Sequence, residues 1–360
     1  MNLHDILEPD RLAAHINAGN VRAQNHPTQP YVIYNYTEKC AYEGVWDDIT
    51  RACRGLIVDT TTHQVIARPF RKFMNYGQAG APDLNLAAPA IVTDKMDGSL
   101  GILYPSGDGT YAVATRGSFA SDQAIHATEL LRTRYADYRP LDGLTVLVEI
   151  VYPQNRIVVD YGDINDLVLL GAVDIATGRS APPALVDWPG PRTETFTYAT
   201  LGEALAAEPR RNAEGLVVHC PRTDERVKIK QEDYVALHKI VTGLTARVVW
   251  QHLIDGKPLD DLVAPLPDEF HPWCRDVATQ IELTVAQEMT AIEKAYAEVV
   301  AALPAGFGRK EFAAAAVPHP LKWALFLLLD GRDPRPELWK RAKPEPYLTP
   351  SGRTHGEDTA

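Results

Sequence analysis

Near residue 240 the hydrophobic period of this chain changes, and that change limits its fold more than any other feature. From residue 31 to about 235 the apolar residues come in short β-branched and aromatic runs: YVIYNY, RGLIVD, VIARPF, AIVTDK, LGILY, TYAVATRG, LTVLVEIVY, RIVVDY and LVLLGAVDI. The segment closes on a hairpin pattern, EGLVVHC–PRTDE–RVKIK. Such runs, bounded by turn residues, read as strands, and hairpins outnumber strand–helix–strand repeats. Beyond 240, Val277, Ile281, Val285, Met289, Ile292, Tyr296, Val299 and Leu303 recur every three or four residues without a proline between them. That spacing predicts one long amphipathic helix, with RKEFAAAAV and LKWALFLLLDG as further helices packed on its apolar seam. The expected fold is therefore α+β over 1–240, with mainly antiparallel sheets and flanking helices, followed by an all-α domain over 241–341. Residues 342–360 are rich in Pro, Gly and charge and are expected to be disordered. A short helix (DRLAAHINAG) and a longer one (SDQAIHATELLRTRYADY) complete the first domain.

Composition excludes several classes. Four cysteines, Cys40, Cys53, Cys220 and Cys274, lie far apart with no zinc-ligand spacing, as expected of reduced, buried thiols. The acidic N-terminus does not read as a signal peptide, and no run reaches the roughly 18 apolar residues of a membrane span. A soluble, cytoplasmic protein with no membrane partner is expected. The net charge of −11 speaks against a broad nucleic-acid groove. The cations are nonetheless clustered: Arg51, Arg54, Arg68, Arg71 and Lys72 stand against Asp59 alone. Between 210 and 230, six cations, Lys228 and Lys230 among them, face Glu214, Asp224 and Glu225. Clusters like these suit a phosphate pocket, although charge alone leaves two solvated faces equally open.

There is no GxxxxGK[ST] loop, no GxGxxG after a strand, no HExxH and no GxSxG. What remains is KMDGS, residues 95–99, which places Lys95 at a strand end and Gly98 where the backbone must turn or approach something closely. Alone, the KxDG tetrapeptide within it is an ordinary surface turn. Lys228 and Lys230 lie two residues apart on one strand and so share a face. Glu149 interrupts an apolar strand, where a lone carboxylate needs a partner or a function. Glu214, before Gly215, stands at a natural turn or metal-ligand position.

Taken in order, these segments resemble the covalent nucleotidyltransferases, and within them the phage T4 RNA ligase 1 group. KMDGS is similar to the nucleotidyl-lysine motif, LVEIVYPQNRIVVDY to the third motif in its extended form, EGLVV to the fourth and VKIKQEDYVALH to the fifth. YNY, CRGLIVD and RPFRKFMN resemble the group's N-terminal segments, and ATRGS its motif after the lysine. The likeness covers roughly residues 30–240. One departure is visible: Arg116 stands where many relatives have lysine, which keeps the charge and alters the geometry.

The resemblance implies a nucleotidyltransferase (ATP-grasp-like) domain and three transfers. Lys95 attacks the α-phosphorus of ATP, AMP passes to an RNA 5′-phosphate, and a 3′-hydroxyl displaces AMP. It implies Lys228 and Lys230 as catalytic cations, Glu149 and Arg116 at the ribose, and Arg54 and Lys72 at the β- and γ-phosphates. Tyr34 is implied at the nucleotide, or equally in strand packing, Asp97 and Gly98 in the loop, and Glu214 at Mg²⁺. An ordinary lysine, with a pKa of about 10.4, is almost wholly protonated at pH 7. Metal and the neighbouring lysines are expected to push Lys95 downward. RNA with 5′-phosphate and 3′-hydroxyl ends, such as a cleaved tRNA loop, is the implied partner, with an end-healing kinase or phosphatase as a further one. A DNA ligase or capping guanylyltransferase is the alternative within the superfamily. Both usually carry a β-rich domain after the fifth motif, whereas this chain reads helical there. A non-catalytic nucleic-acid-binding relative is the alternative outside it.

Overall fold

The computed structural model describes residues 1–235, 243–264, 266 and 270–345. The end of the fifth-motif segment (236–238) and most of the tail expected to be disordered (346–360) lie outside the described residues. The chain divides near residue 240 into two compact units.

In the first unit, β1 (Val21–Asn25), β2 (Tyr31–Tyr36), β3 (Arg54–Asp59) and β4 (Val65–Ala67) form a four-stranded antiparallel sheet. Then follow β5 (Met74–Asn75), β6 (Ile91–Asp94), β7 (Ser99–Pro105), β8 (Tyr111–Ala114), β9 (Leu144–Val151) and β10 (Asp166–Asp174). The last strands are β11 (Ser180–Ala181), β12 (Thr195–Phe196), β13 (Gly215–Cys220) and β14 (Glu225–Lys230). They make two five-stranded sheets, ordered β11-β10-β9-β7-β8 and β12-β6-β13-β14-β5. Strand pairs are antiparallel except β5, which runs parallel to β14. The expectation of mainly antiparallel sheets with flanking helices holds.

Alternation along the strands decides what each face covers. Ile33, Ile57 and Ala67 of the first sheet pack on Ile102, Ala114 and Leu147 of the second. The second sheet's other face is buried by Ala127 and Leu131 of the helix Asp122–Arg134, which Ser121 caps by accepting from the Ala124 N–H. The third sheet buries Val92, Leu216, Val218 and Val227 under the helix Leu201–Leu205. Its remaining face carries the polar residues described below.

One sequence expectation fails. RIVVDY is not a strand: residues 156–161 form a bend. Its apolar side chains Val158 and Val159 are buried with Tyr234, while their N–H groups donate to the Asp97 carboxylate at 2.9 and 2.8 Å. A side chain has taken the place of a neighbouring strand.

In the second unit the regular elements among the described residues are helices. The longest, His271–Ala301, buries Val277, Ile281, Val285, Met289 and Ile292, the seam that the spacing predicts. Shorter helices from Lys322–Leu329 and Arg335–Arg341 cover that seam through Ala324 and Leu338. No described helix is long and apolar enough to cross a membrane. All four cysteines are free and buried.

Candidate active site

A cleft opens between the second and third sheets. From the third sheet it is lined by Ile91 and Thr93 of β6, Val217 and His219 of β13, and Arg226 and Lys228 of β14. These are every second residue, the intervening ones being spent on the core. Leu100 of β7, Glu149 of β9 and Leu170 of β10 face them, with Arg54 and Lys72 also in the lining. Apolar walls with a few converging charged groups are the usual make-up of a small-molecule site.

Lys95 follows β6 directly, and its Nζ lies 2.7 Å from Glu214 Oε2. Lys230 Nζ holds the other oxygen, Oε1, at 3.0 Å. Glu214, only 3% exposed, thus bridges two ammonium groups. Burial alone would raise its pKa, but Lys95 and Lys230 outweigh burial and hold it below the ordinary carboxylate range. The same pairing works against the lowering expected for Lys95. Burial presses its pKa down, yet the carboxylates of Glu214 and Glu149 and the hydrogen bond to Glu214 together raise it above the ordinary lysine value. The amine that is pushed far down is Lys228, first by burial and then by the charges of Lys72, Lys95 and Lys230. In this arrangement Lys95 is an ammonium and Lys228 is the lysine whose charge is disfavoured.

At one side of the cleft the cations meet aromatic faces. Lys72 Nζ lies 5.0 Å from the Tyr36 ring centroid and 5.1 Å from that of Trp46, and it donates to the Tyr36 hydroxyl at 3.3 Å. Arg116 Nη1 donates to the same hydroxyl at 2.7 Å. Burial would raise the Tyr36 phenol, but Arg116, Lys72 and Arg54 outweigh it and bring the group below its ordinary value. Burial lowers both Arg54 and Lys72. A phosphate chain at this place would meet two cations, Arg54 and Lys72, that burial has taken out of bulk water, where each is worth more than on an open surface.

Tyr34 is not brought into this group. It packs against the N-terminal core beside Val32 and Leu56, and burial raises its pKa. Tyr36, two residues on, is the tyrosine that meets the cations. Strict alternation would put both on one face. Opposite them, the β2–β3 register slips at Gly55, whose φ of +94° makes a bulge that alters the local twist.

Asp97 and Gly98 act on structure. Asp97 is 3% exposed and accepts from Val158, Val159 and the Tyr234 hydroxyl, the last at 2.8 Å. It knits the loop after Lys95 to the bend at 156–161. A Cβ on Gly98 would stand 2.7 Å from the Ile150 carbonyl and 3.0 Å from Glu149 Cγ. Gly98 therefore lets β9 approach and carry Glu149 to the cleft. Gly98→Ala should cost about 2 kcal/mol as overpacking against backbone, roughly 4–8 °C in melting temperature. A melt within 1 °C of wild type would show that β9 moves away freely.

Among the described residues no group of three or more His, Cys, Asp and Glu side chains gathers to cage a metal. Of the buried carboxylates near Lys95, Glu214 is the one within ion-pair distance of its amine, while Asp97 is taken up by Val158, Val159 and Tyr234. Lys95, Glu149, Lys228, Arg54 and Lys72 line one cleft, Glu214 and Lys230 join it through ion pairs, and Arg116 adjoins it through Tyr36. Tyr36, His219 and Arg226 were absent from the sequence candidates. The signal for Arg226 was present, since it continues the alternation of Lys228 and Lys230.

Comparison with known proteins bears on the same region. Residues 52–234 match the model of a family described as RNA ligase, of the T4 RNA ligase 1 type. A Thermovibrio ammonificans protein provisionally named an RNA ligase is 30% identical over 139 residues, 36% of this chain and 36% of that one. An uncharacterized Ostreid herpesvirus 1 protein is 31% identical over 161 residues, 41% of this chain and 39% of its own. This chain thus spans little more than a third of these relatives' length. The RNA ligase of Rhodothermus phage RM378 is 23% identical, with 83% of this chain and 85% of that one covered. Among solved structures, a mutant of the Naegleria gruberi RNA ligase with ATP and Mn is 20% identical, covering 43% of this chain and 53% of that one, at a TM-score of 0.33.

Proposed function

The chain belongs to the T4 RNA ligase 1-type family of RNA ligases, and from that membership we propose that it joins RNA 5′-phosphate and 3′-hydroxyl ends at the expense of ATP. The observation that carries the reading is the Lys95–Glu214–Lys230 bridge, set in a cleft that also holds Lys228, Glu149, Arg54 and Lys72. On this reading the first unit is a nucleotidyltransferase domain, and the helical second unit contributes to choosing the RNA.

The first transfer forms a P–N bond between Lys95 Nζ and the α-phosphorus as the bond from that phosphorus to the β-phosphate oxygen breaks, so pyrophosphate leaves. Lys95 must first lose its proton and its hydrogen bond to Glu214. Burial favours that loss, and the carboxylates of Glu214 and Glu149 oppose it. Lys228 and Lys230 would neutralise charge that builds on the α-phosphate, and Arg54 and Lys72 would hold the departing β- and γ-phosphates. Glu149 would accept from a ribose hydroxyl, with Arg116 and Tyr36 fixing that end. Ile91, Leu100, Leu170 and Val217 supply apolar surface for the base. In the second transfer AMP leaves Lys95 for the RNA 5′-phosphate. In the third, the 3′-hydroxyl oxygen attacks that phosphorus and AMP departs.

A divalent cation fits the donor chemistry at Glu214, because magnesium needs only one or two carboxylates when phosphate oxygens and water complete its shell. When bound, it would offset the carboxylate charge that keeps the proton on Lys95 and neutralise phosphate oxygens. The relative solved with ATP and Mn is in keeping with that requirement.

With α-labelled ATP and Mg²⁺, the protein should take up acid-labile label, and GTP should give less than a tenth as much. Ligation of a 5′-phosphorylated RNA to RNA and DNA 3′-hydroxyl acceptors then tests the substrate class. A wild-type protein that takes up no label refutes the enzyme reading. Preference for GTP would favour a capping relative.

A further inference from the structure

We propose that a second cleft, beside the first and lined by Arg51, Arg68, Arg71 and Arg179, holds the backbone phosphates of the polynucleotide whose end is brought to Lys95. The inference rests on the ligase reading for the identity of the polymer, and on geometry for the site. The two clefts share Phe70, Lys72, Phe73 and Arg226, so an anion in one is continuous with the phosphate side of the other.

The four guanidinium groups have no carboxylate within ion-pair distance among the described residues. Each rests on a backbone carbonyl instead: Arg51 on Gly80 at 2.5 Å, Arg68 on Ile175 at 3.0 Å, Arg71 on Asp48 at 3.3 Å and Arg179 on Pro221 at 2.8 Å. Several arginines elsewhere pair with carboxylates, as in Arg11–Asp47 at 2.7 Å, Arg134–Asp166 at 2.7 Å and Arg210–Asp94 at 2.6 Å, while Arg139 and Arg192 rest on carbonyls. What sets the four apart is that they line one cleft together. Of the two carboxylates lining the cleft, Asp224 is engaged by His219 at 2.8 Å and by Ser180, leaving Glu225 as the remaining one. Burial and then the charge of Arg71 lower the Arg68 pKa against the weaker opposing charge of Asp174, and a bound anion would relieve that repulsion further.

Gathering four cations against so little counter-charge destabilises a fold, so the cluster points to an anion supplied from outside. Arginine forks match phosphate oxygens in shape as well as charge. Arg54 and Lys72 already serve the β- and γ-phosphates on the reading above. Four further guanidinium groups exceed the needs of one pyrophosphate and match successive phosphates of a strand.

The test uses the full chain and a double variant, Arg71→Glu with Arg179→Glu, both exposed residues outside the nucleotide cleft. The probe is a 5′-phosphorylated single-stranded RNA oligonucleotide carrying a 3′ fluorophore, titrated at several salt concentrations. The variant should bind at least tenfold more weakly. Its slope of log affinity against log salt should be shallower by about 1.4, for two lost phosphate contacts on a single strand. Labelling of Lys95 by ATP without RNA should stay within twofold of wild type, which also reports that the variant folds. RNA affinity and slope equal to wild type, with labelling intact, overturn the inference and leave the ligase reading standing. Unchanged RNA affinity with slower pyrophosphate-driven reversal of labelling also overturns it, and assigns the cleft to pyrophosphate. If wild type takes up no label, the ligase reading fails. The RNA titration, with Arg71→Ala and Arg179→Ala reporting on folding through their melts, still decides whether the cleft binds a strand.

Discussion

Lys95→Ala takes up no label from α-labelled ATP, a loss of at least about 10³-fold and roughly 4 kcal/mol in barrier. The expectation follows from bonding, since alanine offers no atom to form the phosphoramidate. Lys95→Arg should fail almost as completely. A guanidinium stays protonated at any pH the protein survives, so it can pair with Glu214 and still have no free electron pair. The same variant separates the three transfers. Given an RNA end that already carries AMP, Lys95→Ala should retain sealing to within about tenfold, because the final transfer leaves the lysine nitrogen unused. Lys228→Ala should impair both reactions, since its charge acts on the phosphate whichever group attacks. Label on Lys95→Ala at wild-type levels would mean that another nucleophile carries AMP.

The sequence was most readable where one regular period governs the chain. Lys228 and Lys230 share a face because β14 alternates without interruption, and the seam from Val277 to Ile292 is buried because that helix runs unbroken. Lys95 at a strand end needed only the apolar run before it. Legibility stops where an irregularity or a distant partner decides. Nothing near KMDGS shows that a glutamate 119 positions away raises the pKa of Lys95, so lowering by Lys228 and Lys230 was the natural expectation. The choice between Tyr34 and Tyr36 depends on where the fold brings Lys72 and Arg116, which the YNY run does not encode. RIVVDY has strand composition, yet Asp97 satisfies two of its N–H groups, an option that composition does not encode. Three arginines of the second cleft, Arg51, Arg68 and Arg71, were visible as local charge, and Arg179 joins them only through the fold.

Glu214→Gln tests the bridge from the other side, and its effect should depend on pH in a defined direction. Glu214 is held below the ordinary carboxylate range by Lys95 and Lys230, against the upward push of burial. A carboxylate whose pKa is depressed on folding stabilises the fold above its unfolded value, near 4.3, and the contribution fades as pH falls through the folded value. At pH 7, replacing this buried partner should cost about 3 kcal/mol, moderated because Lys95 and Lys230 reach solvent at 21% and 22% exposure. Denaturant unfolding without divalent metal should therefore show wild type well above the variant at pH 7, with the gap narrowing below pH 4. A gap that stays constant to pH 3 would show that the carboxylate charge does not support this fold. Removing Glu214 also takes away the largest of the charges that raise the Lys95 pKa, so burial should bring it down against Glu149 and Asp97 alone. Reaction of Lys95 with an amine-directed acylating reagent, followed by peptide mapping, should then begin at lower pH in Glu214→Gln than in wild type. Labelling by ATP should nonetheless fall by about 10² or more, because the variant has an easier amine and has lost the carboxylate proposed to hold the metal. The opposed outcomes, faster acylation with slower adenylylation, distinguish a working carboxylate from one that only props the loop.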